Sequence, residues 1–294
     1  MIKILTKYSA FLLVLISIAA CSELNENIPP VPDVKTHNSG FADTSSSDFH
    51  GKYIMNHNWD MISCQSCHGE NYSGGSAPTC LNCHTYAGGP ENCTTCHGSS
   101  TSGAPPKDIN GNTSTSERGV GAHQIHLNGN SDGRAVDCSE CHYIPGGVYS
   151  DGHVDTDLPA EVLMNNPRAN VTTNDDSSQF NYFDIDPNQI RYIPNPVYNS
   201  SDLTCSNTYC HGYFKNGNID NIPVWTEPAT SACGSCHGDS SSPLPKISGA
   251  GGSHPNSLNC SLCHGGVVDV NLNIINPSKH IDGLLNLAGN DIEF

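Results

Sequence analysis

The sequence predicts a fold with little regular secondary structure, in which short helices and loops wrap around something other than a side-chain core. Three observations predict it. Residues that fill ordinary cores are scarce: hydrophobic side chains make up 36% and aromatic ones 7%, while Gly (28) and Pro (19) are abundant. Such a composition buries too little apolar surface to offset the entropy of ordering the chain. Cysteine is plentiful instead, at 15, and histidine, also at 15, directly follows a cysteine in seven places.

Taken in order, residues 1–20 read as a signal peptide. Lys3 and Lys7 precede an apolar run from Phe11 to Ala20, which is too short for a comfortable membrane span. Ile18-Ala19-Ala20-Cys21 resembles a bacterial lipobox, which makes Cys21 the expected lipidation site and mature N-terminus. The alternative is an ordinary secretory signal that happens to end near a cysteine. Residues 21–36 are polar and Pro-rich, and read as a lipid-anchored tether. The formal net charge is −17, and losing Lys3 and Lys7 makes the body more negative still. An acidic surface of this kind argues against a nucleic-acid partner.

Six motifs share one spacing: CQSCH at 64–68, CLNCH at 80–84, CTTCH at 93–97, CSECH at 138–142, CGSCH at 233–237 and CSLCH at 260–264. CxxCH is the attachment signature of c-type haem. Its two thiols bond to one edge of the porphyrin, and the adjacent histidine reaches the iron from below. Composition alone predicts about 0.04 such matches in a chain this long. A disulfide scaffold does not require a histidine after every second cysteine, and zinc ribbons need no fixed following histidine.

The seventh motif, CSNTYCH at 205–211, has four residues between its cysteines. A decayed copy would be expected to lose a thiol or the imidazole. Cys205, Cys210 and His211 all remain, followed by Gly212 as in the CHG of four other motifs. The longer loop can bulge and still present both thiols to one ring edge, so the motif reads as a seventh site. The expected attachment cysteines are therefore Cys64, Cys67, Cys80, Cys83, Cys93, Cys96, Cys138, Cys141, Cys205, Cys210, Cys233, Cys236, Cys260 and Cys263. The proximal iron ligands are His68, His84, His97, His142, His211, His237 and His264, and the cofactors are seven covalent c-type haems with their iron.

CSNTYCHGYFKNGN, then PVWT at 223–226, then CGSCHG at 233–238 resembles the CxxxxCH/CxxCH module of multihaem c-type cytochromes from metal-respiring bacteria. GAHQIHL at 121–127, SHP at 253–255, KHIDG at 279–283 and FHGKYI at 49–54 are also similar to that family. The similarity extends over most of residues 37–294. It implies a multihaem cytochrome c fold, electron transfer at the periplasmic or outer surface, and two histidines on each iron.

Eight histidines lie outside the motifs: His37, His50, His57, His123, His126, His153, His254 and His280. Eight spares for seven irons favour ligation over scattered surface residues. Methionine is the alternative ligand, but apart from the initiator there are only Met55, Met61 and Met164. FHG at 49–51 matches the family and His37 lies at the matching upstream position, whereas His57 in NHN has no counterpart. The expected distal set is then His37, His50, His123, His126, His153, His254 and His280, with His57 left over. Three motifs at the C-terminus have only two spares of their own, so that region must borrow a histidine from the middle.

The modules follow from the motifs. Residues 37–100 form an N-terminal trihaem module and 101–119 a low-complexity linker. Residues 120–204 form a middle single-haem module, with a possible hairpin around 180–183 and 191–193. Residues 205–294 form a C-terminal trihaem module that includes CxxxxCH. Expected partners are other redox proteins or extracellular electron acceptors. The expected location is the outer membrane, lipid-anchored and facing the periplasm or the exterior. Two other classes stay open. A nitrite or sulfur-oxyanion reductase would need one iron with an open position; some mark it with lysine in place of the motif histidine, and all seven motifs here keep histidine. A structural subunit of a cytochrome filament or complex would reveal itself as ordered fibres.

Overall fold

A computed structural model describes residues 36–164, 168–173, 192–214, 217–229, 231–238, 241–244 and 254–293. The expected signal peptide, Cys21 and most of the expected hairpin at 180–191 lie outside these residues. The chain divides into two compact units, residues 1–57 and 58–294.

Of the first unit, residues 36–57 are described. Its helix α1 (His50–Met55) is one and a half turns long. In the second unit the regular elements are equally short: α2 (Gln65–His68), α3 (Cys93–Cys96), α4 (His123–Leu127), α5 (Cys233–Cys236) and α6 (Ser261–His264). There are two antiparallel hairpins among the described residues. β1 (Val197–Asn199) pairs with β2 (Thr204–Ser206), with Tyr198 opposite Cys205. β3 (Leu284–Leu287) pairs with β4 (Asn290–Glu293), with Asn286 opposite Asp291. The second hairpin closes through Ala288 and Gly289, whose φ angles of 51° and 83° match the two-residue turn that suits strand twist. Near the expected 180–193 hairpin, what is described is one antiparallel bridge, Thr173 to Tyr192.

The motifs account for most of the helical turns, and sequence explains where they start. The residue just before the first cysteine caps the turn in three motifs: Thr79 accepts from the Leu81 N–H, Asn92 from Thr94 and Asp137 from Ser139. Each such cap stabilises its turn by about 1 kcal/mol. Glycine after the motif histidine then reverses the chain. Gly98 adopts φ +84°, and a Cβ there would collide with the Ser102 carbonyl. Gly212 adopts φ +106°, with the Asn218 carbonyl oxygen 2.6 Å from where a Cβ would sit.

The side-chain core is small and scattered. Among the described residues the buried hydrophobic ones are Met61, Tyr72, Val120, Ala122, Met164, Ala169, Cys205, Tyr209, Val267 and Val268. Met61 and Met164 thus serve as core residues. Many large apolar side chains stay exposed right beside the motifs, including Ile62, Leu81, Tyr86, Tyr143, Ile144, Leu258 and Leu262. Their clustering there calls for a large apolar group against them.

Candidate haem-iron sites

None of the fourteen motif cysteines is paired with another in a disulfide. Among the described residues, no group of three or more His, Cys, Asp or Glu side chains gathers as a metal-binding cluster. The imidazoles instead gather in twos. His123 faces His142 with ring centroids 6.2 Å apart, and His126 faces His211 at 6.0 Å. His280 faces His237 at 6.0 Å, and His254 faces His264 at 6.5 Å. Each pair joins a motif histidine to one outside the motifs.

The spacing has a simple meaning. With a metal–imidazole bond of about 2 Å on each side and about 1 Å from each nitrogen to its ring centre, two imidazoles holding one metal ion between them would stand about 6 Å apart. The rings also present the right nitrogen. Nδ1 of His123 lies 2.8 Å from the Val120 carbonyl, that of His126 2.9 Å from Ala122, that of His142 2.7 Å from Glu161 and that of His264 2.6 Å from Asn286. His280 makes the same bond to the carbonyl of Asp132, and His254 to that of Pro255. An Nδ1–H donated to a carbonyl leaves the Nε2 lone pair for a metal. Burial reinforces this by favouring the neutral ring. It pushes His211 and His237 down to about 4, with the facing imidazoles of His126 and His280 acting in the same direction. The donor set, its spacing and the bare apolar side chains beside it all fit covalent haem.

Four of the motif cysteines are strongly desolvated too. Burial pushes Cys141, Cys205 and Cys236 up to about 11 and Cys210 up to about 12. In the longer motif the extra residues take a specific path. Cys205 lies in β2, Asn207 turns with φ +55°, and Cys210 and His211 sit on a 3-10 turn, Tyr209–His211. The insertion is therefore a strand end followed by a left-handed kink, where four of the CxxCH motifs carry one short α-helix.

Hydrogen bonds from backbone and side chains run between successive motifs. Glu140 of CSECH accepts from the Ala169 N–H at 2.8 Å, and the Ala169 carbonyl accepts from Tyr209 of CSNTYCH at 3.0 Å. Asn221 then donates to the His211 carbonyl at 2.9 Å, and Asn218 donates to the carbonyls of Ser235 and Cys236 at 3.0 and 2.8 Å. The Ala288 N–H, in the β3–β4 turn, donates to Cys263 at 2.7 Å.

Other candidate residues are placed as follows. His153 has its Nδ1 2.9 Å from the Val148 carbonyl. Nearby Tyr149 reaches the N-terminal motifs: its hydroxyl accepts from the Met61 N–H at 2.9 Å and donates to the Trp59 carbonyl at 3.3 Å. His68 and His97 have their Nδ1 atoms at the carbonyls of Pro78 and Gly103. In the first unit, His37 stacks on Phe41 at 4.1 Å. His50 has Nδ1 2.8 Å from the Phe41 carbonyl, and His57 stacks on Tyr53 at 3.8 Å with Nδ1 2.7 Å from its carbonyl. Two participants escaped sequence reasoning. Trp225 touches both His123 and His126, and Asn286 supplies its carbonyl to His264. PVWT drew notice only as a family match, and nothing local marks Asn286.

Residues 204–237 match the family model described as the Geobacter CxxxxCH...CXXCH motif. The resemblance expected from CSNTYCH and CGSCH is met over that segment. The CxxxxCH...CXXCH segment spans the His211 and His237 sites, so two of the four facing pairs have their motif histidine inside it. Motifs of this kind indicate covalent c-type haem with iron, as in multihaem c-type cytochromes, a class that generally transfers electrons. No curated protein and no solved structure matches the chain.

Proposed function

We propose that the protein is a seven-haem c-type cytochrome lipoprotein that relays electrons to redox partners or extracellular acceptors. The observation that carries this reading is the set of four facing imidazole pairs at 6.0–6.5 Å. Covalent haem supplies an iron that takes up and gives away one electron at a time. The chain's residues do the rest. His142 with His123, His211 with His126, His237 with His280 and His264 with His254 would each hold one iron between two imidazoles. His153 in the second unit and His37 and His50 in the first are the remaining ligand candidates, with His57 outside the set.

The ties through Ala169, Asn218 and Asn221 hold successive motifs in contact, as a relay requires. Tyr149 gives the middle segment a grip on the N-terminal motifs. Cys21 carries the lipid that holds the body at the outer membrane, facing the periplasm or the exterior, and the acidic body stays in solution around it.

A carbon monoxide difference spectrum of the fully reduced protein tests this reading against an enzyme with an open iron. With both axial positions filled, the expected uptake is well under one carbon monoxide per chain. Uptake by one or more irons, accompanied by rapid turnover of nitrite, hydroxylamine or tetrathionate, would establish the reductase instead.

A further inference from the structure

The four facing pairs are not alike. In three of them the rings are close to parallel: 22° for His123 and His142, 27° for His237 and His280, and 1° for His254 and His264. His126 and His211, the pair at the CxxxxCH motif, cross at 85°.

One indole meets both histidines of α4. His123 and His126 are three residues apart on that helix and so are neighbours on one face. The indole of Trp225 sits against both. It is edge-on to His123, at 4.7 Å and 87°, and nearly parallel to His126, at 5.9 Å and 19°. The indole is held independently of either ring. Its Nε1–H donates to the Arg118 carbonyl at 2.8 Å, and the Trp225 N–H donates to the Leu203 carbonyl at 2.6 Å. Gly121 makes the seat: its φ is +39°, and any Cβ there would collide with the indole nitrogen.

We propose that the CxxxxCH site holds crossed axial imidazoles, that Trp225 is the positioning residue that keeps them crossed, and that this makes the site electronically distinct from its near-parallel neighbours. The inference rests on reading the facing pairs as axial ligands. Each imidazole overlaps with the iron d orbital selected by the plane of its ring. Parallel rings act on the same orbital and split it from its partner. Crossed rings act on one each and leave the two nearly equal in energy. In ferric low-spin iron, that near-equality leaves orbital angular momentum unquenched. The magnetic signature is then a highly anisotropic signal with a large maximum g, where near-parallel rings give a rhombic one. Axial-ligand arrangement is among the means by which a protein tunes a haem.

The test is frozen-solution electron paramagnetic resonance on the oxidised, haem-loaded full-length protein and on His126→Ala, Trp225→Leu and Trp225→Phe, with haem content measured in each. The wild type is expected to show a highly anisotropic component of one iron's intensity that is lost in His126→Ala, replaced by high-spin iron of equal intensity. Trp225→Leu should convert that signal to a rhombic one without loss of haem. Trp225→Phe, which keeps a ring but loses the bond to Arg118, should shift it part of the way. If His126→Ala yields no high-spin iron, the axial-ligand reading fails. If it does, but the low-spin signal it replaces is rhombic, the crossed arrangement is overturned while the axial reading stands. If Trp225→Phe and any haem-loaded Trp225→Leu both leave the anisotropic signal unchanged, the positioning role is overturned.

Discussion

His280→Ala is expected to turn one iron from six-coordinate and low-spin into a high-spin iron that binds one equivalent of carbon monoxide per chain. The other irons should stay low-spin. His280 lies far along the chain from the histidine it faces, and its Nδ1 bond to the Asp132 carbonyl joins segments 148 residues apart. That bond contributes about 1 kcal/mol and fixes the ring's orientation. His237 is half-buried and desolvation holds it neutral, with Phe214 edge-on at 5.2 Å. The neighbouring imidazoles of His254 and His264 already face each other at 6.5 Å. Carbon monoxide titration of the reduced variant reads the result, and an unchanged stoichiometry would remove His280 from the ligand set.

Replacing Cys205 and Cys210 together by alanine is expected to lower the haem content by one per chain and to destabilise the body. Cys205 is buried in β2 opposite Tyr198, and Cys210 lies against the Arg168 carbonyl with its sulfur 3.7 Å away. The site sits between two others, tied to CSECH through Ala169 and to CGSCH through Asn221. Removing its haem therefore empties the middle of the array. The loss should be at least about 3 kcal/mol, the scale of deleting a large buried aromatic side chain. Haem content and denaturant midpoint check both parts. A variant that keeps the wild-type haem count would show that CSNTYCH never carried one.

The covalent chemistry was legible because it is local. Two thiols and an imidazole within five to seven residues need no tertiary information, and neither does the scarcity of core residues that foretells so little regular structure. Capping was legible on the same terms: Thr79, Asn92 and Asp137 stand directly before their motifs. The spare histidines were visible as candidates, and counting assigned the C-terminal motifs one from outside. Which histidine faces which was not visible, because His126 reaches His211 and His280 reaches Asp132 only through tertiary contacts. Ring angles lie deeper still. The crossing at His211 depends on Trp225 and on the absence of a Cβ at Gly121, and no periodicity or motif spacing encodes either. The β3–β4 hairpin was missed for the same reason. Its turn residues, Ala288 and Gly289, give a weak signal, and its purpose, carrying the Asn286 carbonyl to His264, is a contact across 22 residues.

The central claim is that all seven motifs, the longer one included, hold haem on a single lipid-anchored chain. An intact mass of the mature protein tests it most directly, since it counts covalent haems and acyl chains together. The account predicts a polypeptide beginning at an acylated Cys21 and carrying seven haem increments. A mass with six haems would contradict it, leaving CSNTYCH as an unmatured site and the His126–His211 pair without an iron to share.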